Sequence, residues 1–229
     1  MKSTANESNF VKVKVWDLFI RIFHWLLAVL IVVMLVSANF GYFDIHITTG
    51  KTIVILVIAR LIWGIVGSSN ARYTALVFKP SAYINYIKTL PQRKPGYSLA
   101  HSPIGSLAVI AILGFLIFQL TTGLFAADVD GLVEGPFAYY ISYELSRTAS
   151  DLHLQNVDWL ISIIVLHIAA NLFYYFYKRD NLIKPMFTGS RSVPKDKSQD
   201  PPRLASPWRG LIVTAIIAAI MILIYVQYG

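Results

Sequence analysis

The sequence has no cysteine among its 229 residues. That excludes covalent haem attachment through a C-x-x-C-H motif, thiolate-held iron–sulfur clusters and disulfide bonds, so any redox centre must be held by other side chains. Charge is scarce as well. Asp, Glu, Lys and Arg make up 14% of the chain, against about one-quarter in a soluble domain. In their place, 56% of the residues are hydrophobic, and they fall in long runs of the kind that cross membranes. Spans and short connections account for the whole sequence, which leaves no room for a separate soluble domain. The net charge of +8 would point to nucleic acid in a soluble protein. Here the bases sit in particular connections, so no nucleic-acid partner is expected and the surrounding partner is membrane lipid.

Five apolar runs are present, roughly Trp16–Ala38, Ile45–Val66, Ile104–Phe125, Trp159–Tyr177 and Gly210–Tyr228. Each is near the ~20 residues a helix needs to cross the hydrocarbon. Lipid offers the backbone no hydrogen bonds, and the runs are continuous rather than alternating, so they read as helices and not as barrel strands. The first run is too long for the apolar region of a signal peptide, although Val36-Ser37-Ala38 resembles a cleavage site. The expected class is all-α and polytopic: a four-helix bundle in residues 1–190, a flexible linker at 191–207 and an additional transmembrane helix at 208–229.

Bases mark the cytoplasmic side of a membrane protein. Lys2, Lys12, Lys14 and Arg21 lie in or near the N-terminal arm. Arg72, Lys79, Lys88, Arg93 and Lys94 lie between runs two and three, with no acid among them. Eight more follow run four. By contrast, Ala126–Asp151 carries five acids (Asp128, Asp130, Glu134, Glu144 and Asp151) against one base, Arg147. The expected topology has a cytoplasmic N-terminus and, after five spans, a periplasmic C-terminus. Within the connection between runs two and three, Pro80 suits a helix start. Tyr83, Tyr86, Ile87 and Leu90 then follow at i, i+3, i+4 and i+7, as in a helix lying on the membrane surface; an ordinary loop is the plainer alternative. The stretch from Val193 to Pro202 is rich in Pro, Lys, Ser and Asp, which suits a linker.

Ionisable groups inside a membrane are costly and point to function. His24 lies about 12 Å into the first span from its basic end, and His167 about 15 Å into the fourth from the same side. His46 opens the second span at the other end, and His153 sits just before the fourth. The four thus form two depth-matched pairs. His153 and His167 are fourteen residues apart, which is 40° short of four helical turns, so they share a face at an axial separation of about 21 Å. One membrane histidine is often only hydrogen-bonded to a neighbouring helix, and histidines also bind zinc or copper. Two depth-matched pairs with no carboxylate or thiol beside them fit haem iron better, because neutral imidazole is a good axial ligand and bundle cores commonly hold cofactors.

At these residues the chain resembles the bacterial di-haem cytochrome b561 family, which includes the cytochrome b subunits of nickel–iron hydrogenases. The matching segments are Val15-Trp-Asp-Leu-Phe-Ile-Arg-Ile-Phe-His24-Trp, His46-Ile-Thr-Thr-Gly50, Ala59-Arg60-Leu-Ile-Trp-Gly64-Ile-Val-Gly, His101-Ser-Pro-Ile-Gly105, Leu166-His167-Ile-Ala-Ala and Asp180-Asn-Leu-Ile-Lys-Pro-Met-Phe-Thr-Gly. They span about residues 11–190. The resemblance implies two non-covalent haems b, with His24 and His167 ligating an inner haem and His46 and His153 an outer one, in a bacterial inner membrane. It departs from the family at Lys51, Leu154 and Asp158, and the last apolar run lies outside it.

Further residues follow from position. Gly50, one turn from His46, either lets a flat macrocycle approach or serves ordinary helix packing. Arg21 and Arg60, near the inner ends of their spans, suit either haem propionates or lipid phosphates. Lys51 and Asp158 lie near the outer haem, for a propionate or for each other. His101, at the inner mouth of the third span, is a quinone-contacting candidate or a plain interfacial histidine. The expected function is transmembrane electron transfer between the quinone pool and a redox partner, a c-type cytochrome or a hydrogenase-like subunit. The alternatives are a stand-alone superoxide:quinone oxidoreductase, which the acidic outer face disfavours by repelling an anion, and a haem-free anchor or transporter.

Overall fold

The computed structural model describes residues 9–228, so the expectation placed on Lys2 lies outside the described residues. Five of its helices are long and apolar enough to cross a membrane: α1 (Leu18–Asn39), α2 (Phe43–Val66), α4 (Pro103–Phe125), α5 (Tyr143–Phe176) and α7 (Pro207–Tyr228). The chain is a multi-pass membrane protein. Its smaller elements are β1 (Phe10–Lys14), α3 (Pro80–Thr89), α6 (Ile183–Thr188) and β2 (Ser190–Pro194).

Local chemistry sets the helix starts. Asp17 caps α1, its Oδ1 accepting from the Ile20 amide at 2.8 Å. Ser102 caps α4 by accepting from the Gly105 amide at 3.1 Å, with Pro103 in the first turn. Helix α3 begins at Pro80, where the sequence places it. Its Tyr86 hydroxyl meets that of Tyr174 at 2.8 Å, and Lys178 Nζ donates to the Thr89 carbonyl at 2.9 Å, so α3 is held against the end of α5 while Ile84 and Ile87 stay exposed.

Two expectations are corrected. Helix α5 runs for 34 residues and begins at Tyr143, so His153 lies within it and not before it. The added turns are polar and fall short of any hydropathy threshold, but Ser142 caps them and Ser150 and Arg147 tie them to Ala127. The stretch 191–207 is not simply a linker. Its first four residues belong to β2, which pairs antiparallel with β1 from Phe10↔Pro194 to Lys14↔Ser190, and Val193 is fully buried. Further along, Ser68 Oγ accepts from the Ala205 amide at 2.8 Å. Helix α7 lies along α2 and touches α1, where the Phe19 ring fills the space that a side chain on Gly210 would need.

Helix α1 packs on α2, and α4 on α5. The central core is Phe23, Leu27, Ile53, Val57, Leu116 and Leu160. Leu160 lies midway between His153 and His167, seven residues from each, so an apolar layer separates the two histidine levels. The ends differ in charge. One, the basic end, carries β1, β2, α3 and α6; the other, the acidic end, carries the connection 126–142.

Candidate functional site

The structure brings the four histidines together as two facing pairs. The His24 and His167 ring centres are 6.4 Å apart toward the basic end, and those of His46 and His153 are 6.2 Å apart toward the acidic end. Each pair joins one helix of the α1–α2 half to α5.

At the acidic end the rings are oriented by backbone carbonyls. His46 Nδ1 lies 3.1 Å from the Met34 carbonyl oxygen, and His153 Nδ1 lies 2.9 Å from that of Gln119. A carbonyl only accepts, so both Nδ1 atoms carry the proton and each Nε2 keeps its lone pair for a metal. This is the outer hydrogen bond that metal-ligating histidines ordinarily make. A buried polar network supports it. Gln119 Nε2 donates to the His153 carbonyl at 3.1 Å, Asn156 Nδ2 donates to Gln119 Oε1 at 2.7 Å, and Thr122 Oγ1 lies 3.3 Å from His153 Nδ1. Gly123 faces the His153 ring so closely that a Cβ would lie 2.7 Å from its Cε1. Sequence reasoning missed Gln119, Thr122, Gly123 and Asn156. Their signal was available: Gln119 is an amide in a span without a single charge.

At the basic end His24 Nδ1 is buried with no hydrogen-bond partner, and His167 Nε2 has only the Asn171 amide at 3.3 Å. Among the described residues, no three His, Asp or Glu side chains converge as a metal site. A bare ion needs three or four protein ligands, whereas an iron that brings a macrocycle needs two. Metal–imidazole bonds of about 2 Å on either side of one iron set the ring centres about 6 Å apart. Both pairs therefore fit haem iron in spacing, and the acidic-end pair fits it in tautomer too.

The remaining candidates are placed as follows. Arg60 is buried, its Nη1 without a hydrogen-bond partner, and its guanidinium lies 5.5 Å from the Tyr73 ring centre. Tyr73 packs onto Gly64, and burial raises its pKa above the usual value while the Arg60 cation opposes the rise. The His101 ring packs tilted against Trp16, with ring centres 4.8 Å apart. Burial, and then the Arg60 charge, push its pKa down to about 4, so it is a neutral imidazole at physiological pH. Arg21 Nη1 donates to the Phe187 carbonyl at 2.7 Å, beside the Trp25–Phe187 stack, and so fastens α6 to α1. Gly50 and Lys51 line one cavity with His46 and His153. A Cβ on Gly50 would make only ordinary contact, 3.6 Å from Met34 Cε. Asp158 is exposed on α5, and of the two alternatives for it and Lys51, their pairing with each other does not form; Lys51 lies 5.0 Å over the Tyr225 ring.

Residues 15–189 match the model of the prokaryotic cytochrome b561 family. The chain belongs to that family. It is similar to the probable Ni/Fe-hydrogenase 1 B-type cytochrome subunit of Escherichia coli K12, 24% identical over 80% of this chain and 92% of the relative. It is also similar to the probable Ni/Fe-hydrogenase B-type cytochrome subunits of Azotobacter chroococcum, 23% identical over 81% and 90%, and Rhodobacter capsulatus, 20% identical over 81% and 83%. No solved structure matches. Membership makes this chain a membrane cytochrome b of electron transport, with haem b as its cofactor, and sets aside the haem-free anchor.

Proposed function

We propose that this cytochrome holds two b-type haems, one between His24 and His167 and one between His46 and His153, and passes electrons between the quinone pool and a redox partner. The observation that carries the reading is the pair of imidazole spacings, 6.4 and 6.2 Å, on two levels of one bundle. Bound haem supplies one-electron exchange; the protein supplies position and electrostatics. His46 and His153 each present Nε2 because the Met34 and Gln119 carbonyls hold the Nδ1 protons. Gly123 leaves the His153 ring room to stand. The unpartnered Arg60 Nη1 suits a propionate carboxylate at the basic end.

On this reading the basic end is cytoplasmic and the end of α7 periplasmic in a bacterial inner membrane, which the distribution of Lys and Arg supports. The partner is a protein subunit of the hydrogenase kind named for the relatives, or a c-type cytochrome, docking at the acidic end.

Haem extraction tests the reading. Two haems per chain are expected, both six-coordinate and low-spin, because each iron has two imidazoles. His167→Ala is expected to remove one haem and leave the spectrum of the other. One haem per chain in the parent protein would overturn the proposal.

A further inference from the structure

At the acidic end a cavity of about 420 Å³ opens between α2, the 126–142 connection and the end of α7, bounded by Ile47, Lys51, Glu134, Pro136, Tyr140 and Tyr228. Its volume lies within the range of small-molecule sites, about 300–1,000 Å³. Ile47, Lys51 and Pro136 also line the adjoining cavity that reaches His46 and His153, so the two spaces share a wall.

Lys51 is the unusual member. It lies eight residues into α2, about 12 Å from the start of the helix, where an ammonium is costly and marks function. Among the described residues it has no hydrogen bond and no ion pair, only the face of Tyr225 at 5.0 Å. The ammonium is a hydrogen-bond donor without an oxygen. Across the cavity Glu134 offers an exposed carboxylate, an acceptor in contact with water. Between them the rim is aromatic: the Tyr140 and Tyr228 ring centres are 6.3 Å apart, and Phe137 stacks on Tyr225 at 5.9 Å. A flat, lipid-soluble ring with an oxygen at each end matches this set: one oxygen accepts from Lys51, the other lies at the water-contacting mouth, where Glu134 can accept from the hydroxyl of the reduced, quinol form, and the ring faces lie against tyrosines.

We infer that this cavity binds the headgroup of a quinone, and that α7 is there to complete it. Tyr225 and Tyr228 belong to α7, beyond the family-matched residues 15–189, so the site is a property of this chain and not of the four-helix unit. Its redox purpose rests on the proposed haem between His46 and His153, and the shared wall gives that haem and the quinone a short path. The quinone is thereby assigned to the acidic end, and not to His101 at the basic end.

The test uses the detergent-solubilised haem-loaded protein, with decylubiquinone as the probe, by equilibrium dialysis. One quinone per chain is expected. Lys51→Met should weaken binding at least tenfold, Lys51→Arg should restore most of it, and Tyr228→Ala, outside the His46–His153 cavity, should weaken it several-fold with the parent's haem content. Quinone should shift an absorbance band that is lost in His46→Ala and kept in His167→Ala. Unchanged binding in both Lys51→Met and Tyr228→Ala would overturn the assignment. So would loss of binding in His101→Ala alone, or displacement of the quinone by an equimolar amount of phosphatidylethanolamine, which would make the cavity a lipid seat. Haem content separates the failures: a parent with fewer than two haems refutes the two-haem reading, while Lys51-dependent binding still decides the site.

Discussion

The acidic-end and basic-end histidine pairs have nearly the same ring spacing, 6.2 and 6.4 Å, but very different surroundings. At the acidic end both Nδ1 atoms are held by carbonyls, and one carbonyl is itself braced by the Gln119–Asn156 network. At the basic end His24 Nδ1 has no partner, and His167 meets only the amide of Asn171, one turn along its own helix. The acidic-end ligands are oriented before any cofactor arrives. The basic-end ligands share a spacing but not an orientation, so the cofactor must do more of the ordering there. A preorganised site loses less on binding, and of the two proposed haems the acidic-end one is expected to be the more tightly held.

The sharpest way to break this comparison is to remove one ligand at each end. His153→Ala is expected to abolish the acidic-end haem and His24→Ala the basic-end one, each variant keeping one haem per chain by extraction. A single variant that emptied both sites would show that the two ends are not independent.

A smaller but more diagnostic contrast uses glycine. Gly123→Ala puts a Cβ 2.7 Å from His153 Cε1, whereas Gly50→Ala meets only Met34 Cε at 3.6 Å. Gly123→Ala should lose most of the acidic-end haem on purification and Gly50→Ala little, as read from the low-spin band of each. Next comes Gln119→Leu, which strips the brace from His153 and leaves Asn156 without its side-chain acceptor. Removing such outer partners commonly costs about 10–100-fold in affinity or activity. Haem loss to apomyoglobin should therefore quicken at the acidic end alone, and Asn171→Leu at the basic end should change little. Equal loss rates in these two variants would dissolve the asymmetry.

The smallest effect concerns docking. Asp128→Asn with Asp130→Asn should slow electron exchange with a basic partner protein a few-fold at low salt, with the difference vanishing as salt rises. Equal rates at low ionic strength would remove the docking role and reopen the small-molecule reading with superoxide as substrate.

Which features were legible in the sequence follows from their physics. The spans, the helix from Pro80 and the facing of His24 with His167 and His46 with His153 depend on hydropathy and helical period, which are local. The start of α5 at Tyr143 was hidden because Glu144, Arg147 and Asp151 make its first turns too polar to read as part of a span. The carbonyls of Met34 and Gln119 were hidden for a different reason: every residue has one, and only the packing of α1 on α2 and α4 on α5 selects these two. The β1–β2 pairing was hidden by distance, because neither short strand marks its partner.

That ribbon also carries a consequence in time. Phe10 pairs with Pro194, 184 positions later. At about 5–20 residues per second of synthesis, the first strand waits roughly 10–40 s for its mate. Every histidine of the two proposed ligand pairs has been made before the seam can close. The three spans that bear those histidines, α1, α2 and α5, are therefore complete while the basic end is still unstitched. The Arg191–Asp180 pair at 2.6 Å and the buried Val193 then lock that end as a late event. On the proposed ligand assignment, the order of the chain itself leaves haem a window for loading before residues 190–194 zip onto residues 10–14.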